Sequence, residues 1–105
     1  MNIRTILIAL LMLCCSLAQA QGSDRAREKR WADEIIPQLV VGDALWLKHP
    51  AGDFLGLYTA GKPDKPAIVI VHGIGVHPDH GFIGPLRTQL ADRGFTTLSI
   101  QMPIR

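Results

Sequence analysis

The 105-residue chain carries 11 Lys/Arg against nine Asp/Glu, a formal net charge of +2, and 48% of its residues are hydrophobic. That length allows one small domain at most. The near-balanced charge excludes the strongly basic surface of a nucleic-acid-binding domain.

The N-terminus reads as a cleavable secretory signal. Arg4 supplies a short positive region, Ile6 to Cys15 is an unbroken run of ten apolar residues, and Ala18-Gln19-Ala20 offers small residues where signal peptidase reads. The run is too short to span a bilayer, which takes about 20 apolar residues. The expectation is therefore a signal peptide over 1–20, engagement of the export machinery and signal peptidase, and cleavage near Ala20. The product would be periplasmic or secreted, with no stable membrane anchor; an uncleaved anchor is the alternative. Leu13 precedes Cys14, where a lipoprotein signal needs a small residue. Both cysteines leave with the signal, so residues 21–105 hold no thiol, no disulfide and no Cys-based metal site. No cofactor is called for and no metal site is expected.

Ser23 to Ile36 is predicted helical, with Ser23 or Asp24 as cap and Pro37 as stop. Ala32, Ile35 and Ile36, with Trp31 beside them, form a narrow apolar stripe. The remaining positions are charged, and Lys29–Asp33 and Arg30–Glu34 fall at i,i+4 spacing. The interleaved charges of Asp24-Arg25-Ala26-Arg27-Glu28-Lys29-Arg30 suit a solvated helix face rather than a nucleic-acid patch. Gly42-Asp43 is a turn. Ala44–His49 and Asp53–Thr59 then read as two strands of a hairpin linked by Pro50-Ala51-Gly52, and Ala60 to Pro66 is an exposed loop.

Ala67-Ile68-Val69-Ile70-Val71 is apolar at every position and strongly β-branched, which suits a central parallel strand covered by helices on both sides. Ile83–Arg93 is predicted helical through Ile83, Leu86, Leu90 and Ala91, with Pro85 in its first turn and Gly94 past its end. Phe95–Gln101 is a further strand. Together these make an α/β domain over 21–105: an antiparallel hairpin followed by one βαβ unit. An 85-residue domain buries only about 60–65% of its unfolded surface, and Phe95–Gln101 calls for further elements to cover it. The domain is therefore read as incomplete, the N-terminal portion of a larger sheet, and residues 21–105 alone are expected to aggregate.

Sites in open α/β sheets form at the carboxyl ends of the strands. The loop His72–Gly81 leaves the most apolar strand at that end and holds His72, His77, His80, Asp79, Gly73, Gly75 and Gly81. Glycines at such a position allow main-chain N–H groups to approach developing negative charge.

Val71-His72-Gly73-Ile74-Gly75 resembles the loop after the third strand of α/β-hydrolases, where His-Gly opens the oxyanion hole. The longer stretch His72 to Asp79, with Pro85-Leu86-Arg87, Thr97 to Pro103 and Glu28 to Ala32, is similar to a family of exported, largely uncharacterised proteobacterial proteins classed as α/β-hydrolase-like. The resemblance covers most of residues 28–105. It implies that the Ile74 N–H is an oxyanion donor, that Gly73, Gly75 and His72 shape the loop, and that the class of reaction is ester or acyl hydrolysis. The second donor in such enzymes follows the nucleophile. Ser23 lies near the cleavage site, and Ser99 lies mid-strand without a Gly-x-Ser-x-Gly elbow. Nucleophile, acid and catalytic histidine are therefore expected beyond Arg105, and the chain alone is expected to be inactive.

Each candidate has a plainer reading. His72 is expected to hold loop geometry rather than to react. His77, Asp79 and His80 could ligate zinc, but His77-Pro78-Asp79 reads more naturally as a turn whose aspartate accepts backbone N–H bonds. Arg87 could meet an anionic substrate or pair with Asp79, against the default of a solvated helix arginine. His77, Asp79 and Arg87 are thus the weaker binding candidates, toward a small-molecule or acyl substrate of unknown identity. The rival function is a non-catalytic envelope module that keeps the fold for binding or structure.

Overall fold

In a computed structural model, residues 2–17 and 24–104 are described. The expected cleavage segment Ala18–Ala20 and Ser23 lie outside them. The first helix, α1, spans Ile3–Leu17. Among the described residues no helix is long and apolar enough to cross a membrane.

Helix α2 spans Arg25–Ile35. Asp24 caps it, its Oδ1 accepting the Arg27 N–H at 3.0 Å, which satisfies one of the donors a helix start leaves unpaired. Pro37 forces a tighter 3₁₀ turn over Ile36–Gln38. Of the two anticipated i,i+4 pairs, Lys29–Asp33 forms at 2.8 Å on the exposed side, and Arg30–Glu34 does not. The apolar stripe does what its spacing implies: Ala32 and Ile35 pack on Leu55 and Leu57, with Trp31, Ile36, Leu39 and Ala44 around them.

Strands β1 (Asp43–Leu47) and β2 (Phe54–Thr59) form the antiparallel hairpin. Its link is closed by the Gly52 N–H donating to His49 O at 2.9 Å and by a Lys48–Asp53 ion pair at 2.7 Å. After β3 (Ala67–Val71) comes α3 (Ile83–Asp92), then β4 (Thr96–Ile100). Helix α3 ends as a Schellman motif. Gly94, at φ +82°, donates to Ala91 O at 2.9 Å, and the Phe95 N–H reaches Leu90 O at 3.0 Å.

The fold is α/β, a mixed four-stranded sheet in the order β1-β2-β4-β3. β3 and β4 are parallel, and β4 also pairs antiparallel with β2. This order corrects the place expected for Ala67–Val71. The run is at one edge of the described sheet, and Val69 and Val71 are 60% and 57% exposed. β4, expected to lack cover, is the strand paired on both sides. Adjacent register partners share a face, so Ala44, Leu55, Leu57, Thr97, Ser99 and Ile70 line one face. α2 covers its hairpin end, and α3 packs along β4, its Arg87 reaching the neighbourhood of Gly42, where Thr59 also lies. No described helix covers the other face, where Leu45, Val69 and Val71 are exposed. Both helices thus lie on one side, not one on each.

Candidate functional site

The loop from His72 to Phe82 leaves the carboxyl end of β3 and lies beside the end of β4. Thr97, Ser99 and Gln101 alternate along β4 and its extension, all three buried. The period of two puts three polar side chains in a row on the covered face. Two of the three, Ser99 and Gln101, hold the loop. The Ser99 hydroxyl donates to Pro78 O at 2.6 Å. The Gln101 amide donates to Met102 O at 2.7 Å and to Val76 O at 3.3 Å. Ser99 is wholly buried and its proton is engaged, so it presents nothing to a substrate.

Arg87 departs from the default of a solvated helix arginine: it is 2% exposed. Its Nη1 meets Asp79 Oδ1 at 2.9 Å, and its Nη2 donates to Val41 O at 2.6 Å. One guanidinium therefore ties the loop, α3 and the segment before β1 together. Both candidates, Asp79 and Arg87, are spent on each other rather than turned toward a ligand. Arg87 lies four residues from buried Ile83 on the same helix face, so it enters the core along the apolar stripe.

His77 accepts the Asp79 N–H on Nδ1 at 3.2 Å and meets the rings of Trp31 and His80 edge-on at 5.4 Å each. Burial, then the neighbouring His80, push its pKa below the ordinary imidazole value; Asp79 and Glu34 pull the other way. Among the described residues no group of three or more His, Cys, Asp or Glu is placed to hold a metal ion. His77, Asp79 and His80 form the turn instead, with the His80 N–H donating to His77 O at 3.1 Å.

His72 is buried, and both ring nitrogens are engaged. Nε2 accepts the Met102 N–H at 2.7 Å. A backbone N–H can only donate, so Nε2 carries the lone pair and Nδ1 the proton. Nδ1–H then donates to Gly73 O at 2.6 Å. With no cis peptide present, the Gly73–Ile74 unit is trans and planar, and its N–H points opposite to its carbonyl. Drawing Gly73 O toward His72 turns the Ile74 N–H away from the ring. That N–H has no hydrogen-bond partner among the described residues, and the Ile74 side chain is fully exposed.

A Cβ added to Gly73 or Gly75 would meet nothing within 4 Å. Gly75, at φ +76°, is required by its backbone conformation. At Gly73 no described atom and no positive φ requires glycine. A cavity of about 340 Å3, lined by His72, Gly73, Ile74, Met102 and Pro103, opens at this turn. A second, of about 250 Å3, shares Met102 and Pro103 and extends past Ile100 and Phe54 to Arg25 and Glu28.

The structure brings His72, Gly73 and Ile74 to one opening; Gly75, His77, Asp79 and Arg87 do not line it. Gln101 and Met102 were given no role from sequence. The signal for Gln101 was the Thr97, Ser99, Gln101 alternation, polar residues at strand spacing along a face that folding covers.

No curated protein and no solved structure matches the chain. A family model described as a protein of unknown function (DUF3530) matches residues 5–105. The chain belongs to that family.

Proposed function

We propose that the chain supplies the oxyanion-binding side of an exported hydrolase of the ester or acyl class. The observation that carries this reading is the Ile74 N–H. It has no partner among the described residues, is directed away from the His72 ring, and is set beside a cavity of about 340 Å3 on a turn with no side chain at Gly73 or Gly75. A main-chain donor held in place before charge develops is what stabilises a tetrahedral oxyanion. The His-Gly-Ile-Gly resemblance to α/β-hydrolases supports the same role. In this reading the nucleophile, on a Gly-x-Ser-x-Gly elbow, and its separate acid and histidine are not among residues 24–104. The short apolar helix α1 is the export signal.

The test uses the full-length gene product and a p-nitrophenyl ester. Ile74→Pro removes the N–H and is expected to lower kcat by about 10²–10³ with KM little changed. Retained kcat in that variant sinks the donor role. A wild-type protein that neither turns over the ester nor labels with a fluorophosphonate, from a gene without the elbow, replaces the hydrolase with the binding-module reading. Export is checked by N-terminal sequencing of the periplasmic protein, expected to begin at Gln21.

A further inference from the structure

We propose that Gln101 is a positioning residue that, together with the Met102 N–H, holds the His72 tautomer on which the direction of the Ile74 N–H depends; the proposal rests on the reading of that N–H as an anion donor. The Gln101 amide nitrogen has two hydrogens. Three acceptors lie within their reach, Met102 O at 2.7 Å, His72 Nε2 at 3.1 Å and Val76 O at 3.3 Å, so one hydrogen is shared. Gln101 and His72 are both buried, so their contact is sheltered from water. A nitrogen flanked by donors is favoured as an acceptor. A protonated Nε2 would face the Gln101 N–H₂ and the Met102 N–H together. Gln101 therefore disfavours the Nε2–H form and leaves the proton on Nδ1.

The consequence travels one peptide further. Nδ1–H holds Gly73 O at 2.6 Å. In the opposite tautomer two lone pairs would meet at that distance, and the Gly73 carbonyl would rotate away. Because the peptide is planar, the Ile74 N–H rotates with it. Gln101 touches neither the cavity turn nor Ile74, yet the N–H direction depends on it through the His72 ring. The hydrogen bond to Gly73 O also polarises the same peptide, which strengthens its N–H as a donor.

The experiment compares the full-length wild-type protein with Gln101→Glu and Gln101→Leu. Long-range ¹H–¹⁵N correlation spectra read the His72 tautomer, and methylphosphonate, a small tetrahedral oxyanion, is titrated while the Ile74 amide is followed. Wild type is expected to show a protonated Nδ1, a bare Nε2 and an Ile74 amide that moves with methylphosphonate. Gln101→Glu sets a carboxylate against Nε2 and is expected to protonate it. Gln101→Leu removes the amide donor, leaves the Met102 N–H alone on Nε2 and is expected to raise the share of the Nε2–H form. Gln101→Glu is expected to bind the probe at least about tenfold more weakly, about 1.4 kcal/mol, and Gln101→Leu more weakly than wild type by the smaller factor that its remaining Nδ1–H fraction sets. Should the leucine variant not fold, the nearly isosteric glutamate variant carries the comparison.

A wild-type His72 protonated on Nε2, or variants that keep both its tautomer and the probe affinity, overturns the proposal. A tautomer that follows residue 101 while the wild-type Ile74 amide ignores methylphosphonate upholds the Gln101–His72 coupling and overturns the donor reading beneath it.

Discussion

From Val76 to Asp79 the loop after β3 is held from outside at every residue. Gln101 takes the Val76 carbonyl, Trp31 meets the His77 ring, Ser99 takes the Pro78 carbonyl and Arg87 takes Asp79. From Gly73 to Gly75, a few residues earlier, only His72 reaches in, and only to Gly73 O. Ile74 and Gly75 make no hydrogen bond to any described group. The pinned half takes four side chains from three elements to hold; the open half leaves a backbone donor with no hydrogen-bond partner among the described residues. Pre-organised main-chain groups need this pairing, because a donor that must itself be ordered on binding loses part of what it contributes.

The largest break in that contrast is expected at Asp79. Asp79→Ala leaves the buried Arg87 guanidinium without its ion partner, and breaking a buried pair from one side costs about 3–5 kcal/mol. Urea unfolding of the full-length protein reads it; a loss under 1 kcal/mol would mean Arg87 does not hold the loop.

Two neighbours on β4 sharpen the same point. Ser99 and Thr97 share a face and are both wholly buried, yet only the serine hydroxyl has a partner. Ser99→Ala orphans Pro78 O and should cost about 1–3 kcal/mol, whereas Thr97→Val removes an unsatisfied hydroxyl and should be neutral or stabilising by up to about 1 kcal/mol. Equal losses at the two positions would show that packing, not hydrogen bonding, secures the loop.

Within the open half, Gly75→Ala must place a side chain at φ +76° and should cost about 1–2 kcal/mol. Gly73→Ala meets no described atom within 4 Å and should change stability by no more than about 0.5 kcal/mol. If the turn receives a ligand, the same alanine should weaken binding. Thermal melts and ligand titrations of the two variants separate these effects.

The smallest expected effect is a pH dependence at His77. Its folded-state pKa lies below the ordinary 6.5, so between those two values the unfolded chain binds more protons than the folded one. Stability is full above about pH 6.5, falls as the pH drops toward the folded-state pKa, and levels off below it. Because His77 is only half-buried, solvent screening keeps the effect small. Urea midpoints at several pH values should show the slope, and His77→Phe should flatten it.

Much of this molecule is legible from local pattern. The apolar stripe of α2, the hairpin signals around Gly52 and the Gly94 stop after α3 each lie within one turn or one strand, and the element bounds they imply hold to within two residues. The His72–Phe82 loop was legible as a place because three histidines and three glycines follow an apolar strand. Its wiring was not. Gln101 and His72 are 29 residues apart, Arg87 and Val41 are 46 apart, and nothing local marks a glutamine or a helix arginine as a buried tie.

The α/β class, the antiparallel hairpin, the βαβ unit and the glycine turn follow from residue order, since helix and strand periods are set by backbone geometry that each segment carries within itself. Strand order does not. Ala67–Val71 has the composition of a central strand, but which strand occupies the middle depends on what pairs with each edge. β4 took that place by accepting β2 on one side and β3 on the other. The direction of the Ile74 N–H likewise required the fold, because it follows from a ring whose tautomer is set by Met102 and Gln101, brought beside it only when β3 and β4 align.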